Sequence, residues 1–265
     1  MKVADMTELW FDTLGSLPRE EFSAGAARFS ENPSQYAADR FLRDADIVTA
    51  NHLTAECIVH WLREEGRSTS ALLRILDVGS GGGMSSMFLV EALVREGYCN
   101  IELWALDFVP AALSVFSDAA LIIPPEMAEK YSLSEAFCDY FRRSPCVLGS
   151  VFDLRLPKAF FHVVFCVFVQ HHLCDIDREL ASSEMVRVAK HGALVSITDA
   201  HFTYPEYVKA MQSAEDVGRA WVPECFVSME AHQALCCHGG SLLDFCFAEQ
   251  RNLYYLFGGV KTRTF

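Results

Sequence analysis

The chain has no CxxC pair, although it holds ten cysteines. They are scattered: Cys57, Cys99, Cys138, Cys146, Cys166, Cys174, Cys225, Cys236, Cys237 and Cys246. Paired thiolate clusters, the usual mark of structural zinc, are therefore missing, and adjacent Cys236-Cys237-His238 do not replace them. At 265 residues the chain is also too long for a small disulfide scaffold. We expect no metal and a reducing, cytoplasmic compartment, with the thiols acting as small core residues. Long apolar runs are missing too. The most apolar stretch, Phe160 to Val169, is half the roughly 20 residues a membrane helix needs, so it reads as a buried strand and no membrane partner is expected. Met1 to Gly15 lacks a basic start followed by an apolar run. Positive charge is scarce: 22 Lys and Arg stand against 35 Asp and Glu, a net charge of −13. Such a surface repels phosphate backbones, which makes nucleic acid a poor autonomous partner unless a basic patch or a basic partner protein offsets it. Neither internal repeats nor a linker is present, and nothing in the pattern sets an oligomeric state.

What is present is a chain that is 51% hydrophobic and 22% charged, which excludes a disordered protein. At roughly 150 residues per domain, the length allows one large domain, or one with a cap. Residues 4–66 read as helical, with apolar positions at helical spacing from Ala38 to Leu62. Strands and helices then alternate. Leu72 to Val78 reads as a strand, Met84 to Arg95 as a helix, Ile101 to Leu106 as a strand, and Pro110 opens the next helix. Glu126 to Phe141 is predicted helical, Pro145 to Gly149 a third strand and Phe161 to Val169 a fourth. Asp175 to Ala189 reads as a helix stopped by His191-Gly192, before a fifth strand over Ala193 to Thr198. Tyr204 to Arg219 and Ser228 to Cys237 read as helices, and Leu242 to Phe247 with Leu253 to Val260 as a closing strand pair. The expected fold class is α/β: a seven-stranded, mostly parallel open sheet with helices on both faces and an N-terminal helical cap. We place the cap at 1–66 and the main domain at 67–265, with lid-like insertions near 121–144 and 200–226.

The first chemical signal is Asp77-Val78-Gly79-Ser80-Gly81-Gly82-Gly83, which follows a strand and opens a helix. Glycines here let a ligand approach the backbone. Asp107 ends the next strand, where a carboxylate can accept both hydroxyls of a ribose. A dinucleotide site needs GxGxxG, and the spacing fails: counting from Gly79 puts Met84 third, and counting from Gly81 puts Ser86 last. Asp77 is also placed to meet an ammonium, which a dinucleotide lacks.

This segment resembles motif I of the Rossmann-like, class I S-adenosylmethionine-dependent methyltransferases, hh(D/E)hGxGxG, matched by Ile75 to Gly83. Leu103 to Pro110 is similar to the family's second motif, and Phe161 to Cys166 to its strand-four motif, with His162 replacing the usual Asp. Phe168 to Leu173 and Glu184 to Gly192 resemble the segments around the helix before strand five. The resemblance covers about residues 70–200, extends weakly to 228–261 and does not reach 1–65. It implies that S-adenosylmethionine is bound, with S-adenosylhomocysteine as product, by Asp77, Gly79, Ser80, Gly81, Gly83, Asp107, Phe108, Ser150, Val151, Phe152, Cys166 and Gln170. Ser150 stands where the family often has an Asp facing the adenine amine, with Asp153 three residues on; its hydroxyl can accept that bond.

Methyl transfer needs alignment rather than a covalent residue, and a base helps with a hydroxyl or protonated amine. His171 and His172 follow strand four and are the candidate bases, unless they cap or pack. Asp199 and His201 follow strand five on the same rim; His201 is the third catalytic candidate. Tyr36, Asp199, Phe202, Tyr204 and Trp221 are the expected contacts of a small-molecule acceptor, which aromatics suit, unless those aromatics only pack a lid. Two other readings stay open. Asp107 to Pro110 and the Asn252 to Phe265 ending faintly resemble tRNA cytosine methyltransferases, so a nucleic-acid methyltransferase acting with a partner protein is one. An inactive, cofactor-binding partner subunit is the other, motivated by His162 and Ser150.

Overall fold

The computed structural model describes residues 45–173, 175–200, 228–237, 243–251 and 254–262. In chain order these form α1 (Ala45–Glu64), β1 (Leu73–Val78), α2 (Met84–Arg95), β2 (Ile101–Asp107), α3 (Pro110–Ser117), α4 (Pro125–Lys130), α5 (Phe137–Arg143) and β3 (Cys146–Leu148). Then follow β4 (Phe161–Val167), a 3-10 turn at Gln170–His172, α6 (Asp175–Val188), β5 (Ala189–Ala200), α7 (Met229–Cys236), β6 (Leu243–Gln250) and β7 (Tyr254–Lys261). Of the helix expected over Ala38 to Leu62, Ala45 onward is described; the earlier residues, and the Tyr204 to Arg219 helix, lie outside the described ones.

The strand order is β3-β2-β1-β4-β5-β7-β6. The pairs from β3 across to β5 are parallel, and β7 runs antiparallel to both β5 and β6. This is the expected seven-stranded, mostly parallel sheet with its closing strand pair. The order reverses between β1 and β4, and crossovers on either side of that point leave a crevice beyond the carboxyl ends of the strands.

Period-two alternation divides each strand between two cores. Leu73 and Ile75 of β1 face a cluster with Ile58, Trp61 and Leu62 of α1, Phe88 and Leu89 of α2, and Phe116 and Phe141. Leu76 and Val78 face the other side, with Met185 and Val186 of α6 and Tyr255 and Phe257 of β7. Each fully buried Leu, Ile or Phe contributes about 1.5–3 kcal/mol by leaving water. The boundary drawn at residue 66 is not a break in packing, because α1 shares its core with α2. Thr54 Oγ1 also meets Thr198 Oγ1 at 2.6 Å, tying α1 to the end of β5.

Two elements differ from expectation. The single helix predicted over Glu126 to Phe141 is two short helices. Buried Glu91 of α2 accepts from Ser134 N–H at 2.9 Å, Ser134 Oγ at 2.7 Å and Phe137 N–H at 3.2 Å. It thereby draws this turn onto α2 and caps α5, and positive φ at Ser132 and Glu135 breaks the helix there. The turn predicted at His191-Gly192 lies inside a longer β5. The register jumps from Phe161↔Ala189 to Val163↔Leu194, so β5 carries extra residues, with Gly192 at φ 69°. Lys261 Nζ donates to Val186 O at 2.7 Å and Ala189 O at 2.8 Å, closing the end of α6 with a cation.

Candidate active site

The glycine loop sits at the reversal point. Gly79 has φ 74°, and a Cβ on it would lie 2.4 Å from Val169 Cγ2. Only glycine allows both that backbone and that neighbour. Gly83, at φ 98°, opens α2; its missing Cβ makes room for the stacked rings of Phe116 and Phe141. Gly79 and Ser80 N–H donate to Leu106 O at 2.7 and 2.9 Å, which pins the loop to β2.

Asp77 is fully buried. Its Oδ2 accepts from Ser86 Oγ at 2.6 Å and Ser85 Oγ at 2.9 Å, while Oδ1 has no hydrogen-bond partner. Burial raises this carboxyl to about 7; the serine hydroxyls oppose the rise and nearby Asp107 adds to it. A buried carboxylate with one oxygen unsatisfied is built for a cation. Ser80 Oγ, also buried, is likewise without a partner. Asp107 Oδ2 accepts from Gly81 N–H at 2.7 Å, and Oδ1 from Val109 N–H at 2.8 Å. Burial pushes this carboxyl above its ordinary value against those backbone donors. Phe108 N–H is a third backbone donor to it, so the carboxylate is oriented by the backbone with acceptor capacity left for a hydroxyl.

Ser150 is buried, and its Oγ accepts from Phe152 N–H at 3.2 Å. Val151, Phe152 and Phe108 are half-buried. Asp153 is exposed and paired with Arg155 at 2.9 Å. Cys166 is buried in the core on the α6 side, which drives its thiol pKa upward. Gln170, expected at the cofactor, turns its side chain behind the sheet: its Nε2 lies 3.5 Å from Met185 Sδ and its Oε1 2.7 Å from His232 Nε2. His162 is remote from the loop. It begins β4, at the other end of the sheet, accepts from Arg74 N–H at 2.9 Å and lies 2.8 Å from Lys190 Nζ. Its departure from the family pattern therefore does not touch the crevice.

The rim over β4 and β5 brings together two residues that the sequence placed only near each other. His171 Nδ1 lies 2.5 Å from Asp199 Oδ1. Both are buried, and the His171 and His172 rings lie 3.9 Å apart. Burial pushes the Asp199 carboxyl up, but His171, His232 and the Ala200 N–H together hold it below its ordinary value. The rim begins at Phe168, whose φ is 57°. His201, Tyr36, Phe202, Tyr204 and Trp221 lie outside the described residues. Sequence reasoning missed His232 and Arg178, both fully buried behind the rim. Neither carried a signal in local spacing: in α7 the buried residues are His232 and Cys236, and Arg178 lies on a helix rich in charge.

A glycine loop and two buried acids thus stand together at the reversal point of the sheet, where open α/β sheets bind their ligands. Residues 76–197 match the family described as a methyltransferase domain. No curated relative matches the chain by sequence. Among solved structures, magnesium protoporphyrin IX methyltransferase from Synechocystis PCC 6803 with bound S-adenosylhomocysteine is 14% identical, with 89% of this chain and 97% of that chain covered and a TM-score of 0.56. The same enzyme with bound S-adenosylmethionine covers 94% of this chain and 100% of that chain, at a TM-score of 0.56. A carbon methyltransferase, CurJ, is 13% identical over 85% of this chain and 58% of that chain, at a TM-score of 0.58. These likenesses are of fold. The fit to the cofactor rests on the unsatisfied oxygen of Asp77 and the oriented carboxylate of Asp107.

Proposed function

We propose that the chain binds S-adenosylmethionine at the glycine loop and transfers its methyl group to a small-molecule acceptor at the His171–Asp199 rim. Asp77 Oδ1 receives the ammonium of the methionine part, Asp107 the ribose hydroxyls, and Phe108, Val151 and Phe152 wall the adenine. When bound, the cofactor supplies a methyl group on a sulfonium, and its loss leaves neutral S-adenosylhomocysteine. The observation that carries the acceptor side is the His171–Asp199 pair. Asp199, held as a carboxylate, accepts the Nδ1 proton, so the lone pair of the imidazole stands on Nε2. Nε2 takes the proton of the acceptor as its O–H or N–H becomes the nucleophile, and Asp199 stabilises the imidazolium that forms. Burial of the pair keeps the dielectric low, which strengthens that stabilisation.

A small acceptor suits the chain's net charge of −13, which disfavours an unaided polynucleotide. Among the described residues no helix is long and apolar enough to cross a membrane. The test supplies methyl-labelled S-adenosylmethionine with a panel of small phenols, alcohols, carboxylic acids and amines, and with total tRNA. Label in a small molecule, lost in His171→Ala while S-adenosylhomocysteine still binds, is the expected result. Label only in tRNA, or none in any acceptor despite cofactor binding, overturns the small-molecule reading.

A further inference from the structure

A buried polar network lies behind the rim, and the transfer step itself does not use it. His232 of α7 is fully buried. Its Nδ1 lies 2.7 Å from Tyr255 Oη of β7, and its Nε2 lies 2.7 Å from Gln170 Oε1. Gln170 Oε1 also accepts from Ser182 Oγ at 3.2 Å, and Gln170 Nε2 faces Met185 Sδ at 3.5 Å and Cys166 Sγ at 3.7 Å.

The protons of this network follow from an inventory of donors and acceptors. Met185 Sδ has no proton to give, so the amide NH2 of Gln170 faces the sulfurs and its oxygen faces His232. His232 Nε2 must then carry a proton, and Nδ1 accepts the Tyr255 hydroxyl proton. A neutral imidazole meets both partners. Burial lowers the His232 pKa to about 4, Asp199 pulling it up and Arg178 pushing it down. His232 therefore keeps one protonation state through the neutral range, as a fixed strut rather than a switch.

Gln170 directly precedes His171. Its carbonyl accepts from Arg178 Nη2 at 3.1 Å and Nε at 3.3 Å. The turn is thus gripped by the Gln170 side chain from α7 and by its backbone from α6, just where His171 closes on Asp199. We propose that His232, acting through Gln170 and Tyr255, is a positioning residue that fixes the Gln170–His172 turn so that His171 meets Asp199. The functional weight of this proposal rests on the reading of His171 as the base.

The test is NMR of the full chain with 15N-labelled histidine, with the His171 signals assigned through His171→Ala. In the wild type the His171 Nδ1 proton is observed as a hydrogen-bonded signal. In His232→Leu it exchanges with water about tenfold faster, the effect of one weakened hydrogen bond. His232→Gln, which keeps a donor towards Gln170 Oε1, restores slow exchange. Unchanged exchange at His171 in folded His232→Leu overturns the proposal. If His232→Leu does not fold, Tyr255→Phe, which removes one hydroxyl, decides in the same way. S-adenosylhomocysteine affinity on the same samples separates the two claims. Failure of the wild type to bind overturns the cofactor reading, and the exchange result at His171 still stands or falls by itself.

Discussion

The two halves of the crevice are built differently. The loop half, from Ile75 to Asp107, is continuous in sequence, and its key contacts join neighbours along one β-α-β unit. The rim half is assembled from distant pieces: His171 meets Asp199 28 residues away, and Gln170 meets His232 62 residues away. In the first half the glycines and acids are themselves the proposed cofactor contacts, so substitutions there remove the site. In the second half side chains hold one another, so substitutions there misplace a group while the cofactor site survives.

The sharpest way to break this contrast is Gly79→Ala. The added methyl meets Val169 Cγ2 at 2.4 Å on a backbone at φ 74°. We expect S-adenosylhomocysteine binding to fall by more than about 100-fold, with a loss of about 2–4 kcal/mol in stability. Adding Val169→Ala removes the steric part and recovers some stability in thermal unfolding. Wild-type affinity in Gly79→Ala would show that the loop is an ordinary turn.

Asp107→Ala comes next. It removes the ribose acceptor and releases Gly81 and Val109 N–H, and calorimetry should show a 10- to 100-fold weaker complex, from hydrogen bonds to a charged group of about 1.5–3 kcal/mol.

Asp77 gives a pH signature. Its pKa rises on folding from 3.8 to about 7. A carboxyl raised in this way adds stability below its unfolded pKa and loses it as pH climbs through about 7. The free protein should therefore lose stability between about pH 4 and pH 7 through this group, and Asp77→Asn should flatten that slope in chemical denaturation. An arriving ammonium favours the carboxylate, so binding near pH 6.5 should release a proton, visible as a dependence of the calorimetric heat on buffer ionisation enthalpy. The absence of any proton release there would place the ammonium elsewhere.

The smallest effect belongs to the far side of the rim. Ser228 caps α7 by accepting from Ala231 N–H at 3.2 Å. Ser228→Ala should cost about 1 kcal/mol in stability and leave cofactor affinity unchanged.

The same contrast explains what could be read in advance. The strand, glycines and acid of the loop half declare themselves because spacing along the chain equals spacing in space. Strand alternation and helix breaks gave the sheet for the same reason. The pairing of His171 with Asp199 depends on β5 lying beside β4, and the role of His232 depends on α7 packing against α6 and β7. Neither neighbour relation is written in local spacing. Glu126 to Phe141 misled because a carboxylate on α2, Glu91, captures the chain from more than 40 residues away. The direction of the Gln170 side chain, towards His232, was equally hidden, because a position at a strand end says nothing about which side of the sheet its amide takes.

The most direct test is one calorimetric series: S-adenosylhomocysteine titrated into the wild type, Asp107→Ala and His171→Ala. Micromolar binding by the wild type, loss in Asp107→Ala and retention in His171→Ala is the predicted result. Equal affinity in all three, or loss in His171→Ala with retention in Asp107→Ala, would contradict the division of the crevice into a cofactor half and an acceptor half.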